Sequence, residues 1–225
     1  MRVGFIISGS LENLTGGYIY NRQLVRYLEQ KGHTVDLYRF SSQGYIDRLL
    51  HSPQLLWKSL GSPSPDILLE DELDHPALVP LNRRLRSQAK FPVISIVHHL
   101  RCCEPGPAWQ KGLYRRLEKR YLAGVDGFIF NSDTTRRVVE DLTGKRLPSV
   151  TAYPCGDRLK EQITVEEIRK RAENTGPLRI LFLGALIYRK ALHVLLRAVA
   201  GLPEGSAFLT VVGDTTADRA YVKAI

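Results

Sequence analysis

The chain opens by switching between two hydrophobic periods. Val3-Gly4-Phe5-Ile6-Ile7 is a short apolar run bounded by Gly9, the pattern of a buried parallel strand. After it, Tyr20, Leu24 and Leu28 recur at i, i+4 and i+8, the stripe of a helix laid on a sheet. Gly32 stands where that helix should stop, and Thr34-Val35-Asp36-Leu37-Tyr38 alternates into a second strand. Residues 44–60 read as a helical region interrupted near Pro53, 61–65 as a loop, and 66–70 as a third short strand. Pro76 suits the first turn of a helix running to about Ala89. Val93 to Val97 is the most strand-like run in the chain. A helix over 109–123 repeats Leu113, Leu117 and Tyr121 every four residues. A strand follows over 126–130, then a helix capped by Asp133 or Ser132, running through Leu142 and closed by Gly144. Residues 150–153 predict one more strand.

Regular alternation of strand and helix predicts an α/β fold built on a doubly wound parallel sheet, in which ligands bind beyond the carboxyl ends of the strands. The polar clusters fall at those ends: Gly16-Gly17, Glu70-Asp71, His98-His99 and Asn131-Ser132. Past Asp157 the plan restarts. Thr164-Val-Glu-Glu167 is a capping-box start to a polar helix, read as a linker over 161–177. Leu178 to Leu183 is a fresh strand, Gly184 to Lys190 a turn, Leu192 to Ala200 a helix, and Phe208 to Val212 a second strand closed by Gly213-Asp214. The reading is therefore a first domain over 1–160, the linker, and an incomplete second domain over 178–225, since two strands make less than a sheet of usual size.

Composition narrows the class. With 225 residues and 44% hydrophobic content the chain can bury a sizeable core. Its three cysteines, Cys102, Cys103 and Cys155, form no CxxC, so they indicate neither a zinc site nor a disulfide framework, and a reduced, cytoplasmic setting is the default. No run approaches the ~18 apolar residues of a membrane span. The net charge of +9 is uneven: from Arg83 to Arg120 ten Lys/Arg face two acids, Glu104 and Glu118. Such a block can meet an anionic membrane surface, a nucleotide-linked substrate or nucleic acid, and is equally an ordinary solvated helix face. No RNP motif, zinc finger or run of exposed aromatics between the basic residues accompanies it, so no nucleic-acid partner is expected.

Two glycines at the strand–helix joint, Gly16 and Gly17, let a backbone approach a ligand closely, and the free N–H groups of a first helical turn favour an anion; the same pair also marks a plain tight turn. Neither GxGxxG nor GxxxxGK[ST] occurs. His98 and His99 end a strand, where alternation buries one and exposes the other. Glu70, Asp71 and Glu72 read as loop solvation or contacts to acceptor hydroxyls. Ser132 lacks a GxSxG setting and reads as a cap or a hydroxyl contact.

These motifs together resemble a known family. Thr15-Gly16-Gly17 followed by Leu24, Leu28 and Lys31-Gly-His-Thr-Val35, the His98-His99-Leu100 end, FIFNSDTTR from Phe128, AYPCGD from Ala152, FLGALIYRKALHVLLRA from Phe182 and LTVVGD from Leu209 are similar in order and spacing to the family-four glycosyltransferases. The resemblance implies a GT-B fold of two Rossmann-like domains, the first holding the acceptor and the second the nucleotide-sugar donor. It also implies a hexosyl-type transfer from a nucleoside-diphosphate sugar to a glycan or lipid acceptor, with retention and without a metal or other cofactor. His98 would be the catalytic-site histidine touching the transferred sugar. Gly16 and Gly17 would face the diphosphate, Lys190 would neutralise it, and His99, Asn131, Ser132 and Arg189 would be further substrate contacts. The enzyme would be cytoplasmic, with helix 109–123 able to dock on the inner face of the membrane.

Departures from the family pattern stand beside the match. Ala185 replaces the usual arginine of the 184–186 turn, and Ala191 stands where a glycine commonly follows the lysine. No Glu-x7-Glu donor segment occurs in a suitable place. The expectation is thus a truncated enzyme, inactive as these residues, with a non-catalytic module binding a nucleotide-sugar or a partner protein as the alternative.

Overall fold

The computed structural model describes residues 1–40, 60, 63–154, 156, 163–173 and 175–225. The expected helical region over 44–60 lies, but for Leu60, outside them, as do Cys155 and Asp157 of the AYPCGD run. The chain divides into two compact units, Met1–Gly156 and Asp157–Ile225.

Six parallel strands form the sheet of the first unit: β1 (Arg2–Ser8), β2 (Thr34–Phe40), β3 (Ile67–Asp71), β4 (Val93–Val97), β5 (Gly127–Phe130) and β6 (Ser149–Thr151), in the order β2-β1-β3-β4-β5-β6. Helices α1 (Gly16–Gln30), α2 (His75–Gln88), α3 (Ala108–Leu122) and α4 (Asp133–Thr143) connect them. The doubly wound α/β expectation therefore holds. Alternation along β1 divides the core: Val3, Phe5 and Ile7 pack with Val25 of α1 on one face, while Ile6 joins Leu78 and Leu81 of α2 and Tyr121 and Leu122 of α3 on the other. Gly4 is fixed by this packing, since a Cβ there would lie 2.9 Å from the Tyr38 ring.

Strand order reverses between β1 and β3, because β2 lies on the far side of β1. That switch point is where a doubly wound sheet leaves a crevice at its carboxyl edge. Ser8 ends β1 and Asp71 ends β3 at this edge.

The expected helix stops and starts have clear local causes. Gly32 takes φ +79° after α1, and Gly144 φ +67° after α4, the left-handed backbone that a closing glycine supplies. Of the two expected caps for α4, Ser132 is the one: its Oγ accepts from the Thr135 amide at 3.2 Å.

The buried face of α1 falls one position from where the apolar pattern put it, and that of α3 keeps only Tyr121 of its pattern. The buried residues of α1 are Asn21 and Val25, with Tyr20, Leu24 and Leu28 only partly covered. On α3 the buried set is Tyr114, Glu118, Tyr121 and Leu122, while Leu113 stays 47% exposed. In both helices a polar residue sits at the centre of the buried face because partners wait for it there. Glu118 Oε1, for example, accepts the Arg101 amide at 2.6 Å.

The second unit carries α5 (Val165–Ala172), opened by the expected capping box of Thr164 and Glu167, then β7 (Leu178–Leu183) and β8 (Ala207–Val212) as a parallel pair. Between them lies α6 (Leu192–Ala200), and α7 (Arg219–Ala224), a helix the pattern did not predict, brings Tyr221 onto Leu186 and Leu192. Gly213 abuts the Gly184 carbonyl so closely that any Cβ would overlap it.

Candidate functional site

At the carboxyl edge of the first sheet, three residues distant in sequence form a chain of hydrogen bonds. Asn21 donates from Nδ2 to Asp71 Oδ2 at 2.5 Å, and its Oδ1 lies 3.0 Å from Nε2 of His98. A carboxylate can only accept, so the Asn21 amide must turn its NH2 to Asp71 and its oxygen to His98. The imidazole is thereby assigned its proton on Nε2, which leaves Nδ1 with the lone pair that can accept a hydroxyl hydrogen.

Burial reinforces the neutral ring. The His98 side chain is 8% exposed, and desolvation pushes its pKa down to about 4. Asp71 Oδ2 stands 3.8 Å from Nε2, close enough for an ion pair if the ring were charged. That oxygen already takes the Asn21 bond, and the burial penalty prevails, so the pair stays a neutral imidazole beside a carboxylate.

Gly17 meets this histidine directly. A Cβ on Gly17 would lie 3.5 Å from His98 Cδ2, and its three nearest neighbours would all be atoms of that ring. Gly16 has open space on the same measure. Thr15 enters α1 with extended backbone and no side-chain cap bond. The first-turn N–H groups of Gly16 and Gly17 thus end at the same edge as His98, an arrangement suited to an anion. Tyr20 packs edge-on against the imidazole at 5.1 Å, and its hydroxyl donates to the Ala152 carbonyl at 2.9 Å. From the other side, Asn131 Nδ2 donates to the His98 carbonyl at 2.9 Å while its Oδ1 accepts from Thr135 Oγ1 at 2.8 Å.

The structure therefore brings Gly16, Gly17, His98 and Asn131 to one place. Ser132 lies beside them with its hydroxyl given to the α4 cap. His99 turns elsewhere, its Nε2 3.7 Å from Glu104 Oε1 and its side chain 40% exposed. Arg189 and Lys190 lie in the second unit, on the single turn Tyr188–Lys190 after β7, where the Lys190 chain runs past Gly184. Tyr188 stacks on His193 with ring centroids 5.0 Å apart.

Reading Glu70, Asp71 and Glu72 as loop solvation is corrected here: Glu70 and Glu72 are fully buried, and Asp71 nearly so. They end a strand whose two faces are both covered, and each is turned to a different task. Glu70 accepts from Asn82 Nδ2 at 2.9 Å, and burial pushes its carboxyl up to about 8. Asp71 holds Asn21. Burial, with Glu118 and other acids nearby, holds Glu72 well above the usual carboxylate range. Asn21 escaped the sequence pattern altogether, and Tyr20 entered it only as part of the helical stripe. The available signal was a polar residue at i+4 from Gly17 and i−4 from Val25, on the side of the helix that packs.

Known proteins share the family signature and the fold of this chain. The family model for Glycosyltransferase Family 4 matches residues 15–156. Two crystal structures of HepE (Alr3699) from Anabaena share the fold. The one in complex with UDP has a TM-score of 0.61 at 16% identity, and the one with UDP and glucose 0.63 at 14%. Each match covers 100% of this chain and 64% of the HepE chain, so the chain spans about 64% of the length of those structures. No curated protein matches the sequence.

Proposed function

The chain belongs to Glycosyltransferase Family 4, and from that membership we propose that it serves transfer of a sugar from a nucleoside-diphosphate donor to a glycan or lipid acceptor, with retention of configuration. The observation that carries the proposal is the neutral His98, fixed by Asn21 and Asp71, facing the glycine-opened start of α1 at the switch point of the sheet. The likeness to a fold seen with UDP and glucose supports a uridine-linked donor.

In this reading each group has a chemical task. His98 accepts a hydroxyl hydrogen of the sugar through Nδ1 and so fixes the ring while the bond to the diphosphate lengthens. The amides of Gly16 and Gly17 point partial positive charge at the departing diphosphate. On the second unit, Lys190, a compact point charge, and Arg189 are the cationic side chains suited to offset phosphate charge. In this reading the first unit takes the acceptor and the second the donor.

A place on the membrane fits the same chemistry. Trp109 is 73% and Leu113 47% exposed on α3, on the helix that carries Lys111, Arg115, Arg116, Lys119 and Arg120. An exposed aromatic among cations suits the headgroup layer of an anionic bilayer. Among the described residues no helix is long and apolar enough to cross a membrane.

The test is release of nucleoside diphosphate by the protein expressed from its whole reading frame, offered a panel of nucleotide-sugars with lipid and glycan acceptors. Acceptor-dependent release with at least one donor supports the proposal. Absence of release and of nucleotide binding across the panel contradicts it.

A further inference from the structure

We propose that the first unit holds a single first-row divalent cation, of the zinc type, between Glu72, His75 and Glu118. The site is separate from the His98 edge, and its role is structural.

One ligand atom from each of these three side chains lies within 4.8 Å of the others. A cation about 2.0–2.2 Å from each nitrogen or oxygen needs only slight closure of that triangle. The three come from two elements. Glu72 and His75 share the turn that joins β3 to α2, at the i, i+3 spacing that places two ligands on one side of a helical turn, and Glu118 faces them from α3. Their exposures are 0%, 1% and 0%.

The strongest indication is the carboxylate of Glu72. It is completely buried, and neither of its oxygens has a hydrogen-bond partner among the described residues. Buried carboxylates are normally satisfied, and an unpartnered one aimed at a histidine and a second carboxylate has the form of a ligand set. His75 Nδ1 lies 3.1 Å from the Glu72 carbonyl oxygen and 3.4 Å from its Oε1, which keeps the ring in the cluster. Glu118 is held by the Arg101 amide at 2.6 Å and the Cys102 amide at 3.2 Å, the outer bonds that orient a ligating carboxylate.

The donor set selects the ion. One imidazole with two carboxylates suits zinc, manganese or iron better than magnesium or calcium, which take oxygen alone. A cation there would tie α3 to the end of β3. Asp71, which holds Asn21 and through it His98, is the residue next to Glu72, so the cation would brace the site without touching substrate.

The test uses the tag-free full chain, stripped by chelator and titrated with Zn2+. We expect one Zn2+ per chain, a raised Tm, and affinity weakened by about tenfold or more in both Glu72→Gln and Glu118→Gln. Co2+ in the wild-type chain should give a visible spectrum without thiolate charge transfer, a readout that needs no variant to fold. Failure of the wild-type chain to bind Zn2+ or Co2+ stoichiometrically overturns the proposal. So does binding that survives both glutamine variants, or binding that is lost instead in Cys103→Ser.

Discussion

Asn21 and His98 are 77 positions apart, yet Oδ1 of the one stands 3.0 Å from Nε2 of the other. Because Asp71 claims the amide hydrogens of Asn21, this single contact fixes both the tautomer and the neutrality of the histidine. A first prediction follows for solution. Imidazole nitrogen NMR of the folded chain should show His98 protonated on Nε2 at pH 7, with a titration midpoint near 4. The unfolded chain takes that proton near 6.5, so it binds more protons than the folded chain between those values. Stability is therefore complete above pH 6.5 and declines as pH falls towards 4, by about 3 kcal/mol at most. His98→Gln should remove that part of the acid sensitivity; an unchanged pH–stability curve would argue that the ring is not held neutral.

Asn21→Asp places a carboxylate where the ring now meets an amide oxygen. The His98 midpoint should rise in this variant, since a nearby negative charge favours the imidazolium. The same NMR titration reads it, and a midpoint left at its wild-type value would show that Asn21 does not govern the ring.

Gly17→Ala separates stability from function. Alanine in the first turn of α1 should stabilise the helix by about 0.5–1 kcal/mol, since the new Cβ makes only ordinary contact at 3.5 Å from His98 Cδ2. The methyl group nonetheless occupies the space above the imidazole edge. Thermal melts should show equal or higher Tm and transfer assays a lower rate; an unaltered rate would mean that substrate does not approach there.

Ala191 takes φ 55° and ψ 34° at the start of α6 and is the one non-glycine residue with positive φ among those described. A Cβ in that region costs about 1–2 kcal/mol. Ala191→Gly should therefore raise the stability of the second unit by about 1 kcal/mol, measured by denaturant unfolding. A loss of stability would show that the alanine methyl is held by packing instead.

Much of this was legible in the sequence, for reasons that differ residue by residue. The strands announced themselves because parallel strands covered on both faces must be unbroken apolar runs, as Val3 to Ile7 and Val93 to Val97 are. Gly17 and His98 could be found because each ends or begins such an element. Asn21 could not. The apolar residues Tyr20, Leu24 and Leu28 draw the eye to one stripe of α1, whereas the sheet packs against the neighbouring one, and a polar residue is buried there only because Asp71 and His98 receive it. Glu118 was hidden in the same manner. In sequence it is one acid in a basic helix, and only the fold shows two backbone amides and Glu72 converging on it. Burial of a charge depends on partners remote along the chain, which local periodicity does not encode.

The central claim, that a neutral His98 touches the transferred sugar, is tested most directly by the turnover of His98→Ala in the protein expressed from its whole reading frame. The account predicts a kcat lower by about tenfold to a hundredfold, the loss of one hydrogen bond to the reacting sugar, with nucleotide affinity and the folded state retained. An unchanged kcat in a folded His98→Ala protein would contradict it.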